Sequence, residues 1–188
     1  IFALKSTSWE SSSGLSAFDQ AAYLSRAAFL LDEAGIKPLL SIRNEDSVRL
    51  GLGLAHRRRI SVPPMNEKVL AHDFKPAWWA MVQTRHWLGA MKFVRAIEAQ
   101  DVVPARTQCL LYRRANGKAV AVVWRNDDAG FVSFERTGIK VELAQDILAT
   151  PADAQNGWYA VGKMPVVFAV DATSERAAGE LGRISIRH

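Results

Sequence analysis

Apolar and polar positions recur with different periods along the chain and divide it into two unlike parts. Ile1, Phe2, Ala3 and Leu4 form a short apolar run that reads as a buried strand. Ser16 is a helix-capping residue type, and Asp19 lies three positions on, where the helix dipole favours an acid. Ala21, Leu24, Ala28 and Leu31 then fall on one helical face, with Phe18, Ala22 and Phe29 beside them. Gly35 follows the last periodic residue and suits a left-handed cap. The run Pro38-Leu39-Leu40-Ser41-Ile42 reads as a mostly buried strand. Strand, helix and strand joined by short turns predict a βαβ unit and a parallel sheet. Residues 43–75 are polar, basic and punctuated by Gly51, Gly53, Pro63 and Pro64, and predict a long loop. Pro76 suits the first position of a helix, after which Trp79, Val82, His86, Trp87, Ala90, Phe93, Val94 and Ile97 recur at helical spacing. A Trp stripe of this kind predicts core packing.

Beyond Pro104 the texture becomes β-rich. Strands are predicted over 107–113, 119–124, 131–134, 140–143, 158–161 and 166–170. Asn116-Gly117, Thr137-Gly138 and Asn156-Gly157 supply turns between them. Short strands at this spacing predict a small antiparallel β-sandwich. From Ala172 the tail lacks periodicity and reads as a surface extension, with Ile184 and Ile186 able to form a last edge strand. The boundary between the parts lies at 103/104. The expected fold class is α/β plus all-β: residues 1–103 as the C-terminal part of a (β/α)8 barrel, then a sandwich over 104–188. A partial barrel cannot cover both faces of its own sheet. The apolar start also lacks the charged n-region and longer apolar core of a signal peptide. Both features lead to the expectation that an N-terminal barrel segment of the same protein precedes these residues.

Composition narrows the function classes. The 188 residues are 49% hydrophobic and 23% charged, an ordinary globular balance that excludes wholesale disorder. No apolar run reaches the roughly 20 residues that a spanning helix needs, so no membrane-spanning segment is expected. A net charge of +5 is too small to imply nucleic acid, and no nucleic-acid partner is expected. Cys109 is the single cysteine, which rules out an intramolecular disulfide and a cysteine-rich zinc site; it reads as a small buried residue on a strand. The four histidines show no metal-ligand spacing, no glycine-rich phosphate loop is present, and Gly-x-Ser-x-Gly is absent. Neither a metal nor a cofactor is expected. The densest positive charge is His56-Arg57-Arg58-Arg59, either a solvated loop or a grip on an acidic polymer or phosphate.

Three stretches carry a family resemblance. The first is Leu4-Lys5-Ser6-Thr7-Ser8-Trp9 with Ser11-Ser12-Ser13-Gly14 after it. The second is Asp19-Gln20-Ala21-Ala22-Tyr23-Leu24-Ser25-Arg26-Ala27, and the third is Lys75-Pro76-Ala77-Trp78-Trp79-Ala80. In this order they resemble the last part of clan-A glycoside hydrolases, retaining enzymes of the β-xylosidase and cellulase kind with a (β/α)8 barrel and an appended β-sandwich. Val120-Ala121-Val122-Val123-Trp124, Asp146-Ile147 and Met164-Pro165-Val166-Val167-Phe168 are similar to the family's sandwich strands.

The resemblance implies a protein acting on a polysaccharide or oligosaccharide, secreted or periplasmic. Retaining hydrolysis needs two carboxylates roughly 5–5.5 Å apart, a nucleophile and an acid/base. The acid/base would lie on an earlier strand, and the nucleophile in the Thr-Glu-x-Gly-Trp-like motif. Aligned on Trp9, that position holds Ser6, whose hydroxyl cannot form the glycosyl ester of a carboxylate. Glu10 is the neighbouring acid. It is either the nucleophile on a shifted loop or a solvent-exposed loop acid. The strand running into Arg43 and Asn44 also lacks the sugar-stacking rings of relatives. Sugar contacts are assigned to Trp9, Arg43, Arg57 and Arg58. The alternative is a catalytically inactive relative that binds polysaccharide or serves as a structural module in a larger assembly.

Overall fold

The computed structural model describes residues 16–36, 55–62, 67–74, 76–98, 106–126 and 129–187, with backbone alone for 55–62 and 67–74. The strands expected over 1–4 and 38–42 lie outside the described residues. Helix α1 (Ala17–Glu33) begins where its sequence places the cap. Ser16 Oγ accepts from the Asp19 amide at 3.0 Å, and the Asp19 carboxylate accepts from the Ser16 amide at 3.2 Å. This reciprocal box satisfies two donors that the helix itself cannot. The Ser16 hydroxyl also donates to Asp19 at 2.8 Å and holds that carboxyl below its ordinary pKa. At the other end Gly35 takes φ +70°, the Gly35 amide donates to Asp32 and the Ile36 amide to Leu31. These two bonds form a Schellman cap, which needs a residue tolerant of the left-handed region. Ala21, Leu24, Ala28 and Phe29 are buried as expected, whereas Phe18 is exposed.

The loop expected over 43–75 is in part a hairpin. Strand β1 (Ala55–Val62) pairs antiparallel with β2 (Glu67–Phe74), Arg57 opposite His72 and Arg58 opposite Ala71. Basic residues conceal a strand because the ladder bonds backbone groups whatever the side chains are. Pro63 and Pro64, which read as loop punctuation, lie between these strands in sequence and outside the described residues.

Helix α2 (Pro76–Ala90) is shorter than its periodicity predicts, because the chain turns directly into β3 (Met91–Ala96). Phe93 and Val94 therefore lie on a strand. Gly89 weakens the last turn, and strand pairing captures the residues that follow. The buried face of α2 is Ala77, Ala80, Thr84 and Trp87, with Trp79 and Val82 exposed. The Trp stripe is thus divided: Trp87 is core and Trp79 lies at the surface. Small residues at 77 and 80 let α2 pack closely against α1.

The remaining elements are β4 (Thr107–Arg114), β5 (Lys118–Arg125), β6 (Gly130–Ser133), β7 (Val141–Asp146), β8 (Tyr159–Val161), β9 (Val166–Thr173), α3 (Ser174–Glu180) and β10 (Ser185–Arg187). They form a five-stranded sheet in the order β3-β4-β5-β9-β7 and a three-stranded sheet in the order β10-β6-β8, with every described pairing antiparallel. The turn dipeptides act as predicted. Gly117 takes φ +80° in a three-residue loop, its amide donating to Arg114 at 3.0 Å. Asn156 and Gly157 both take positive φ, and Gln155 and Trp158 exchange backbone hydrogen bonds around them.

The large sheet is covered on both faces. Ala119, Ala121 and Val123 of β5 join Phe134, Val161 and Phe168 in a core shared with the small sheet. Val120, Val122 and Trp124 point the other way, into a core with Leu24, Phe29, Ala77, Ala80 and Trp87 of the two helices. Two-sided burial explains why the β5 sequence is continuously apolar rather than alternating. The tail is not a surface extension. Ala177, Leu181 and Ile184 are buried in the shared core, and β10 adds an edge strand as expected. A seven-residue helix is too short to show periodicity in sequence.

Burial pushes the Cys109 thiol up to about 12, from an ordinary 9.0. The unfolded thiol ionises first as pH rises, so above pH 9 the unfolded state binds fewer protons and stability falls. Urea midpoints should hold up to about pH 8 and then decline through pH 9–12, at no more than about 1.4 kcal/mol per pH unit from this group. Burial also raises the Tyr112 phenol, which adds a loss of the same sign above about pH 10. Cys109→Ala should flatten the decline; wild type and variant losing stability in parallel would contradict this.

Candidate functional site

Of the residues assigned to sugar chemistry, Trp9, Glu10 and Arg43 lie outside the described residues, as does Ser6. Arg57 and Arg58 sit in successive register positions of β1 rather than on a loop. Arg57 and Arg58 are thus the two of the five assigned residues that lie within the described backbone.

A cleft of about 590 Å³ opens where the end of α2, the start of β3 and the β4–β5 hairpin meet. Leu88, Gly89, Met91, Lys92, Arg113 and Arg114 are among its lining residues. Pairing sets Met91 opposite Arg114 and Lys92 opposite Arg113, which gathers three cations from two strands. The Arg114 guanidinium lies 5.4 Å from the centre of the Trp87 ring. Arg113 approaches Glu175 at 3.9 Å, and both side chains are at least half exposed, so this ion pair contributes little. The last turn of α2 carries no basic residue, and these strand cations offset the partial negative charge of its carbonyl end. The described lining holds no carboxylate, thiol or hydroxyl. The three cations gathered there make the cleft suited to contact with an anion. In sequence the doublet Arg113-Arg114 just before the Asn116-Gly117 turn was the available signal, but only strand pairing adds Lys92.

The described carboxylates that come together have structural partners. Glu142 and Asp171 flank Lys118 Nζ at 2.7 and 3.1 Å. Hydrogen bonds to both acids, Glu142 foremost, raise the Lys118 pKa. Asp146 accepts from the amides of Leu148 at 2.8 Å and Thr150 at 2.9 Å, closing the turn after β7. Near the end of α1, burial raises the Asp32 carboxyl, and burial together with the Asp32 charge raises the Tyr112 phenol. Tyr112 Oη closes no hydrogen bond among the described residues, so the pair is coupled by proximity without bond geometry. No group of three potential metal ligands occurs among the described residues.

No family model matches the chain, and no curated protein matches it. Among solved structures it is similar to a family 39 glycoside hydrolase from the gut symbiont Bacteroides cellulosilyticus WH2, with a TM-score of 0.54. The fold is glycoside hydrolase-like. The match covers 82% of this chain at 16% identity, and the chain spans 31% of the length of that structure. At this identity the likeness concerns the path of the backbone. The described helices and antiparallel sheets are consistent with part of a glycoside hydrolase fold.

Proposed function

We propose that this chain is the closing portion of a glycoside hydrolase-like protein that acts on an extracellular or periplasmic polysaccharide. Residues 1–103 supply the last part of a (β/α)8 barrel and residues 104–188 a β-sandwich, with β3 of the first portion pairing to β4 of the second. An N-terminal barrel segment of the same protein completes the barrel. The observation that carries this reading is the likeness to a glycoside hydrolase over 82% of the chain, found independently of the three motifs that resemble the same enzymes. Exposed Phe18 on α1 is in keeping with a further barrel wall against this helix.

In this reading Glu10 is the nucleophile, presented by a loop displaced from the family's register, and the acid/base lies on the preceding segment. Trp9, Arg43, Arg57 and Arg58 hold the sugar. Ser6 favours a second reading, in which the barrel has lost its nucleophile and binds polysaccharide without cleaving it. The experiment is a panel of neutral and acidic polysaccharides, assayed for new reducing ends and for retardation of the protein in affinity gels. Reducing ends support the enzyme. Retardation without them supports the inactive relative, and neither effect on any polymer refutes both.

The basic hairpin gives a separate expectation. Replacing Arg57, Arg58 and Arg59 with Ala should weaken retention on an acidic polymer at low salt. It should also flatten the dependence of retention on ionic strength, because salt screens attraction between a cationic segment and a polyanion beyond a Debye length of roughly 10 Å at 0.1 M salt. Unchanged retention at low salt would make the hairpin a solvated ribbon.

A further inference from the structure

The outward face of the small sheet carries a second arrangement that the hydrolase reading does not use. Arg187 on β10 sits opposite Phe131 on β6, and Phe131 sits opposite Ala160 on β8. Trp158 precedes Ala160 by two positions and so shares its face. Val132, Tyr159 and Ile186 alternate with these residues and pack into the shared core. The Arg187 guanidinium lies 4.2 Å from the centre of the Trp158 ring and 5.1 Å from that of Phe131. Gly130 permits the close strand approach beneath it, since a Cβ there would stand 2.8 Å from the Arg187 carbonyl oxygen.

The contrast with other exposed arginines is informative. Arg183 is paired with Glu180, Arg113 approaches Glu175, and Arg176 donates to the Gly138 carbonyl. The Arg187 side chain has its two ring contacts and no hydrogen bond or ion pair among the described residues. The rings fix a side chain that is usually mobile and leave its planar fork of donors open. Such a fork matches the two oxygens of a carboxylate, and pre-organisation reduces the entropy lost on binding. Beside it the exposed Ala160 forms a low floor next to the half-buried Trp158 ring. A charged fork next to a flat apolar floor fits a ring that bears a carboxylate.

We propose that this face binds a uronic acid unit of an oligosaccharide, the carboxylate taken by Arg187 and the sugar ring resting on Ala160 against Trp158. The anion contact stands on the geometry described here; its attachment to a sugar rests on the polysaccharide reading above. The test titrates the protein with trigalacturonate, neutral cellotriose and sodium acetate, following Trp fluorescence and the Arg Nε–H signals by NMR. Saturable binding of trigalacturonate is expected, with cellotriose and acetate at least tenfold weaker. Arg187→Ala should weaken trigalacturonate at least tenfold. Arg187→Lys, which keeps the charge and loses the planar fork, should also weaken it severalfold. Circular dichroism of both variants checks that they fold. Unchanged affinity in two folded variants overturns the site. Equal affinity for acetate overturns the sugar half of the proposal, and equal affinity for cellotriose overturns the anionic half. Loss of polysaccharide cleavage or retention elsewhere in the protein would leave the Arg187 titration unaltered, so failure of the hydrolase reading is distinguishable.

Discussion

Trp124→Ala should destabilise the protein by about 3–5 kcal/mol, the usual range for removing a large aromatic from a core. At this chain length the melting temperature should fall by about 10 °C. Trp124 is fully buried on β5, facing the helices. Its ring stacks on Phe29 of α1, with centroids 6.5 Å apart and planes 24° from parallel, and Phe29 meets Tyr112 of β4 edge-on at 6.0 Å. Truncation would therefore open a cavity between the sheet and α1, bounded by elements pinned by their own hydrogen bonds. A second variant separates packing from polarity. Trp124 Nε1 has no hydrogen-bond partner among the described residues, and an unpaired buried donor costs about 1–3 kcal/mol. Trp124→Phe deletes that donor and keeps most of the ring, so it should cost less than about 1.5 kcal/mol. Urea titration of both variants checks the pair. A loss below about 1 kcal/mol for Trp124→Ala would mean that helices and sheet do not share this core.

Glu10→Gln should lower polysaccharide cleavage at least about a thousandfold, as loss of a nucleophile does in enzymes that form a covalent intermediate. The amide keeps the size of the side chain but cannot form the glycosyl ester or stabilise an oxocarbenium-like transition state. A 2-deoxy-2-fluoro glycoside, whose ester turns over slowly, should label the wild-type protein at Glu10 and leave the variant unlabelled. Peptide mass mapping reads the site. Wild-type turnover in Glu10→Gln would remove Glu10 from the chemistry. Absence of turnover in both proteins would favour the inactive barrel that Ser6 implies.

The elements legible in sequence are those that carry their own punctuation. α1 announced itself through Ser16, Asp19 and Gly35, and all three act at its ends as expected. The β-region was readable because Asn116-Gly117, Thr137-Gly138 and Asn156-Gly157 mark turns that demand positive φ. Illegible elements lacked such marks or were decided by partners distant in sequence. β1 is too basic to read as a strand until β2 lies beside it. The apolar spacing of α2 ran on into β3 because Phe93 and Val94 satisfy a helical period by coincidence, and their strand state depends on β4. Candidate sites follow the same rule. Lys92 meets Arg113 and Arg114, and Arg187 meets Trp158, only across strand ladders, so no local motif joins them. The residues assigned to catalysis came from motif resemblance, which identifies positions and not their distances.

The proposed (β/α)8 reading expects residues 1–4 and 38–42, on either side of α1, to pair as neighbouring parallel strands. The most direct test is NMR on uniformly labelled protein, reading cross-strand NOEs between residues 1–4 and 38–42. Parallel pairing, with amide-to-Hα contacts advancing in the same direction along both segments, is the predicted result. Antiparallel contacts, or none between the two segments, would contradict it.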